Sequence, residues 1–323
     1  MHLTRRQTLQ TATATVTASL VGAALPGIIH AEERRIDTII DTHTHFYDPT
    51  RPLGVPWPGV KDTLLYRRYL PADYRTVAVP AGVTGTVIVE ASNWLEDNQW
   101  ILDLAQNDPF IVGCVGNLDP LDAKFSDNLA RFCKLEKYRG IRLRGQLISE
   151  QVDNANFIIA LTKLADADRS LDLLCGTPNL AAIAALSKKI PHLRIILDHC
   201  AGVKIDGKEP PTDWISALGV CAKQVNIFCK VSGLAESTGN KDGAAPRDVE
   251  FYKPTLDAMW NQFGDDRVIY GSNWPVCLRS ASYAHVHGLV MDYCTSTKNK
   301  AATQRYFSGN ALAAYKYITV PVK

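Results

Sequence analysis

Ile36-Asp37-Thr38-Ile39-Ile40-Asp41-Thr42-His43-Thr44-His45 is an apolar run that ends in a carboxylate and two imidazoles, each two residues apart. Side chains alternate along a strand, so this spacing predicts Asp41, His43 and His45 on one face. Neutral imidazole is the commonest metal ligand, which makes the end of this strand a candidate metal or polarising site. The same spacing recurs at His285 and His287 in a stretch of helical character, where residues two apart do not face each other. Position at the end of a strand, rather than spacing, therefore carries the inference.

Seven more short apolar segments follow, each bounded by turn residues: 84–91, 110–118, 139–144, 171–175, 193–199, 225–232 and 267–272. Between them lies helix-compatible sequence such as 161–167 and 180–189. Apolar runs without alternation imply strands covered on both faces, as in a parallel sheet wrapped in helices. Eight such units predict an α/β fold, a closed (β/α)8 TIM barrel in a single domain. An open doubly wound sheet would want a glycine-rich phosphate loop early in the chain, and none follows the first strand.

Residues 1–31 carry Arg5-Arg6 in Thr4-Arg5-Arg6-Gln7-Thr8-Leu9, then an uncharged Ala/Thr/Val stretch ending at Ile29-His30-Ala31. This pattern is similar to a twin-arginine export signal, cleaved near Ala31, and predicts a periplasmic or otherwise extracytoplasmic protein built from residues 32–323. Gly22, Pro26 and Gly27 interrupt the stretch, which falls short of a spanning helix, and no other segment is long enough. Without Arg5 and Arg6 the remaining chain has equal numbers of basic and acidic residues. Nucleic-acid binding needs a basic footprint, and no run or stripe provides one. The expected partner is a small molecule, anionic or sugar-like. Several of the eight cysteines fall in or beside strand-like runs, without a CxxC pair, as buried free thiols would.

In a barrel of this kind the chemistry gathers at the C-terminal ends of the strands. The polar tips expected there are His43, His45, Glu90, Asn117, Asp119, Arg142, Arg144, Cys175, Asp198, His199, Lys230 and Asn273. His43, His45, Glu90 and His199 are the expected ligands of a single metal ion. Asp198 precedes His199 on a strand, so only one of the two is expected to face inward. His199 is the choice, with Asp198 turned outward or capping a helix. Arg142 and Arg144 share a face, and their planar forks suit a carboxylate or an oxyanion; alternatively one of them pairs with Asp119 or Glu90. Lys230 is either a substrate contact or a salt bridge in the barrel floor. The long proline-rich loop after the first strand offers Tyr47 and Trp57 as flat apolar surfaces for a ring. Asp41 is expected to orient a histidine from behind.

Asp41-Thr42-His43-Thr44-His45-Phe46-Tyr47-Asp48, Gly140-Ile141-Arg142, Ile196-Leu197-Asp198-His199, Lys230-Val231-Ser232-Gly233-Leu234 and Tyr270-Gly271-Ser272-Asn273-Trp274-Pro275-Val276 together resemble the amidohydrolase-2 family. Its members are metal-dependent TIM-barrel hydrolases that include sugar lactonases and 2-pyrone-4,6-dicarboxylate lactonase. The resemblance spans roughly residues 36 to 318. It implies water attack on a lactone carbonyl polarised by His43 and His45, with His199 completing the site. One divalent ion, zinc foremost, is expected, with direct polarisation by the histidines as the metal-free alternative.

Asn273 departs from the family pattern, which has aspartate there as the general base. Asn cannot accept water's proton, so Asn273 is expected to orient the water by hydrogen bonds while proton removal passes to His199, Glu90 or a metal-bound hydroxide. Arg142 and Arg144 replace the bridging lysine of the wider superfamily, which disfavours a binuclear site. The competing functions are a decarboxylase of an aromatic or pyrone acid and a non-catalytic barrel that binds such a ligand.

Overall fold

A computed structural model describes residues 36–317. The expected signal, 1–31, lies outside the described residues, as do 32–35 and 318–323. Eight parallel strands follow one another in chain order around one sheet: β1 (Ile40–Thr44), β2 (Gly85–Val89), β3 (Ile111–Gly116), β4 (Tyr138–Arg144), β5 (Ser170–Leu174), β6 (Ile195–Leu197), β7 (Ile227–Val231) and β8 (Val268–Tyr270). A parallel bridge between Thr44 and Trp274, with the His45 N–H donating to the Trp274 carbonyl at 2.8 Å, joins the last strand to the first. The fold is the expected (β/α)8 barrel, and every strand overlaps its expected segment, with β4 and β5 starting one residue earlier than expected.

Two apolar layers hold it together. Ile40, Val87, Val89, Val112, Val115, Ile196, Phe228 and Ile269 form one cluster with Ala311, Ala314 and Tyr315 of the closing helix Asn310–Tyr315, which places that helix against the barrel interior. The larger layer lies between strands and helices, for example Leu161 and Leu164 of Ala155–Asp166 and Leu180 and Ile183 of Thr177–Lys189. Each fully buried Leu or Ile contributes about 1.5–3 kcal/mol relative to exposure. Helix starts are fixed locally. The side chains of Asn154, Asp248, Ser282 and Asn299 accept backbone N–H bonds at the first turns of their helices.

The register of β1 against β2 shifts between Asp41 and Thr44. This irregularity corrects the expectation that Asp41 shares a face with His43 and His45. Asp41 accepts hydrogen bonds from Tyr74 Oη and Tyr283 Oη on the helix side and from the backbone N–H groups of His43 and Ser272. It therefore braces the β1–β8 seam from behind the site. The second His-x-His pair does lie in a helix, Tyr283–Thr297, where His287 bonds Tyr270 Oη and His285 the Pro246 carbonyl. All eight cysteines are free thiols, seven of them buried and Cys133 half-buried. No helix among the described residues is long and apolar enough to cross a membrane.

Candidate active site

The floor of the site is built on a buried cation. Lys230 on β7 lies 2.8 Å from Asp172 Oδ2 on β5 and 2.9 Å from Asp198 Oδ1 at the end of β6, all three side chains fully enclosed. Tyr315 Oη donates to Asp172 Oδ2 at 2.6 Å, and the Tyr315 ring lies 5.4 Å from the ammonium. Lys230 is thus the barrel-floor salt bridge, which corrects its reading as a substrate contact. Burial pushes Asp172 up to about 6, against the pull of Lys230. Burial acts the same way on Asp198, but Lys230 and His43 beside it overturn that and hold it well below the ordinary carboxylate range. The two carboxylates outnumber the one ammonium between them.

Asp198 corrects a second expectation, because it faces inward with His199. Strand alternation stops where the strand stops: β6 ends at Leu197, and His199, Cys200 and Ala201 then turn with φ of 52°, 52° and 49°. Left-handed backbone costs a non-glycine residue roughly 1–2 kcal/mol, and such strain tends to collect at functional sites. Two glycines make the turn possible. A methyl on Gly202 would run into the Cys175 carbonyl, and one on Gly233 would meet the His199 ring at 3.0 Å. Ser232 Oγ fixes that ring, lying 2.9 Å from Nδ1 and accepting from the His199 N–H.

Three imidazoles meet above this floor. The His43 ring centroid lies 4.9 Å from that of His45 and 4.5 Å from that of His199. Burial keeps all three neutral, pressing His43 well below its ordinary value, His45 to about 3 and His199 to about 4. His43 Nδ1 lies 3.2 Å from Lys230 Nζ and 3.5 Å from Asp198 Oδ1. A donor and an acceptor both face it, so either tautomer is satisfied there. A proton on Nδ1 leaves a lone pair on Nε2 for a metal, whereas a proton on Nε2 suits direct polarisation of a carbonyl.

His43, Asp198 and His199 form the group whose ligand atoms lie within 4.8 Å of one another. His43 Nε2 and Asp198 Oδ2 are buried without a hydrogen-bond partner. Orphaned donors of these types, with excess negative charge, fit one divalent ion. This set differs from the expected one of His43, His45, Glu90 and His199. Glu90 is held by Arg142, whose Nε donates to Glu90 Oε1 at 2.9 Å. His45 has both ring nitrogens engaged, Nδ1 with the Val89 carbonyl at 2.9 Å and Nε2 with Asn273 at 3.2 Å.

A cavity of about 870 Å³ opens above the histidines. Its wall carries His45, His199, Asn273, Arg142, Arg144, Glu90, Asn117 and Asp119 on polar sides and Trp57, Leu147, Leu174 and Val276 on apolar ones. Arg142 is neutralised by Glu90, while Arg144 has no ion-pair partner among the described residues. Trp57 sits at the wall with its ring 6.1 Å from His45. Tyr47 does not join it: it is buried, its Oη bonded to the Leu65 carbonyl and its backbone paired with Tyr69. Aromatic surface on the loop therefore divides between one residue that packs it down and one that lines the cavity.

Two carboxyls of the site, one buried and one half-buried, have no counterpart among the expected tips. Asp172 was visible in principle, as a lone charge inside Ser170-Leu171-Asp172-Leu173-Leu174. Glu236 follows β7 in a short turn, and its Oε1 lies 2.6 Å from the Asn273 side-chain amide. No local pattern marks it.

The family model described as Amidohydrolase matches residues 40–317, nearly all of the barrel. The chain belongs to the amidohydrolase family. An L-fucono-1,5-lactonase of Burkholderia ambifaria is 29% identical to it over 283 residues, covering 86% of this chain and 95% of that protein. One from Burkholderia multivorans is 28% identical over 288 residues, with 85% and 95% covered. An amidohydrolase of Burkholderia multivorans solved with bound zinc superposes with a TM-score of 0.77 at 27% identity, covering 87% of this chain and 100% of that one.

Proposed function

We propose that this amidohydrolase opens a sugar lactone by hydrolysis and that one divalent ion, zinc foremost, is held by His43, Asp198 and His199. The observation that carries the reading is the pairing of neutral imidazoles with an ionised Asp198, whose Oδ2 has no partner, beside a cavity of about 870 Å³ lined by His45 and His199. The similar L-fucono-1,5-lactonases supply the substrate class, and the zinc of the Burkholderia multivorans structure supports the metal. When bound, such an ion supplies Lewis acidity toward the ester carbonyl and acidifies water.

The chain's own residues do the rest. Trp57 gives one face of the sugar ring an apolar wall, and Asn117, Asp119 and Arg144 offer hydrogen bonds to its hydroxyls. Arg142, held by Glu90, presents the rest of its guanidinium fork to the cavity as a fixed hydrogen-bond donor. The ester carbonyl is directed to the His43–His199 end, where water adds to carbon. The ring C–O bond then breaks, and the leaving oxygen takes up a proton as the hydroxy acid forms.

The test is a panel of aldono-1,4- and 1,5-lactones followed by acid release, with metal content measured on protein purified without chelators. Turnover with about one equivalent of metal is expected, both lost in Asp198→Asn. Protein that opens none of the panel, corrected for spontaneous hydrolysis, would sink the lactonase reading. Export is proposed on Arg5-Arg6 alone. Arg5→Lys/Arg6→Lys is expected to leave the protein in the cytoplasm on cell fractionation, and an unchanged distribution would refute it.

A further inference from the structure

His45, Asn273 and Glu236 form a chain of hydrogen bonds whose protons can be counted. The Val89 carbonyl can only accept, so the hydrogen between it and His45 must sit on Nδ1. The neutral ring then has a lone pair at Nε2, 3.2 Å from Asn273. A lone pair needs a donor, which Asn273 supplies only with its NH2 turned toward His45. Amide oxygen and nitrogen have nearly the same shape, and the turn exchanges their places. That turn leaves the amide oxygen facing Glu236 Oε1 across the 2.6 Å contact. Two oxygens approach so closely only when one carries a hydrogen, so Glu236 must be a carboxylic acid.

We infer that Glu236 is a positioning residue of the reaction: as an acid it locks the Asn273 amide onto His45 Nε2, and losing its proton turns the amide oxygen against that lone pair. The cavity wall at Asn273 and His45 is then unlocked, and the reacting groups lose their alignment. The surroundings favour the acid form. Burial pushes Glu236 up to about 7, and its Oε2 is enclosed without a partner. Among the described residues, Tyr252, Cys200 and Cys277 lie close enough to feel its charge, and no cation acts on it. No bond joins Glu236 to His43, Asp198 or His199, so the effect does not depend on a metal there. Asn273 itself sits at φ 61°, a backbone conformation that Asn adopts more readily than most residues.

The inference rests on the lactonase reading for its kinetic arm only. In the natural protein kcat is expected to fall about tenfold per pH unit above about 7 after the uncatalysed rate is subtracted. Glu236→Gln, whose amide can donate as the acid does, is expected to keep kcat within about threefold at pH 6 and to remain flat to high pH. Glu236→Ala is expected to lose kcat at every pH with little change in KM. A decline that persists unchanged in Glu236→Gln would overturn the inference. The second arm needs neither turnover nor a variant: infrared spectra of protein labelled with 13C-glutamate are expected to show a protonated glutamic acid band that titrates near 7. Its absence overturns the inference; its presence in protein that opens no lactone removes the lactonase reading and leaves the locked amide standing.

Discussion

Lys230→Met is expected to cost about 3–5 kcal/mol of folding stability at neutral pH, the range for removing one partner of a buried ion pair. Asp172 and Asp198 would then face each other across the barrel floor with no cation between them, and neither is reached by solvent. Methionine fills most of the volume of lysine, so the loss is electrostatic rather than a packing cavity. The pH dependence identifies it. Without Lys230 both carboxylates titrate above their unfolded values, so the native state takes up protons that the unfolded chain does not hold. The deficit is therefore largest above those raised values and shrinks as the pH falls toward the unfolded carboxylate range. The natural protein already shows the tendency at Asp172, which burial raises to about 6 even beside Lys230. Urea unfolding at pH 5 and pH 8 measures it. Asp172→Asn added to Lys230→Met should recover part of the loss at pH 8, because one buried charge is gone. A single-variant deficit below about 1 kcal/mol, or one independent of pH, would mean that water reaches the floor and screens the charges.

The barrel was legible because its strands are short, apolar on both faces and separated by helix-length connections, a pattern that allows few architectures. His43, His45, His199, Arg142 and Trp57 come to one end of it because strand ends in a closed parallel sheet have nowhere else to go. What escaped depended on departures from regularity. The shifted register in β1 turns Asp41 away from the histidines, and an alternation argument cannot see a bulge. The left-handed turn at His199–Ala201 brings Asp198 inward beside its neighbour, where a continuing strand would have parted them. Pairing was harder still. That Arg142 chooses Glu90, and that Lys230 sits between Asp172 and Asp198, follows from distances across the barrel that no local spacing records. Glu236 lies on a turn whose sequence resembles any solvated loop, and only its contact with Asn273 gives it a role.

His43→Leu is expected to reduce kcat by about 10²–10³-fold, the usual loss for one polarising group in a water-excluded site, while leaving thermal stability equal or higher. The two halves of this expectation come from the same atom. His43 Nε2 is fully enclosed and has no hydrogen-bond partner, a state that costs a folded chain about 1–3 kcal/mol. Lys230 keeps Asp172 and Asp198 when the imidazole is gone, so the ion pairs of the floor remain in place. Leucine approximates the ring's volume and removes the orphaned nitrogen, so folding should lose little and has an unsatisfied group to gain. A residue kept for packing behaves in the opposite way, since its replacement lowers stability and slows turnover only through unfolding. Melting curves and lactone turnover on the same preparation separate the cases. Zinc content adds a third reading, expected to fall from about one equivalent if Nε2 is a ligand and to stay unchanged if the imidazole addresses the carbonyl itself. Full activity in a stable His43→Leu protein would show that the site's chemistry does not pass through this histidine, and the orphaned nitrogen would then need another account.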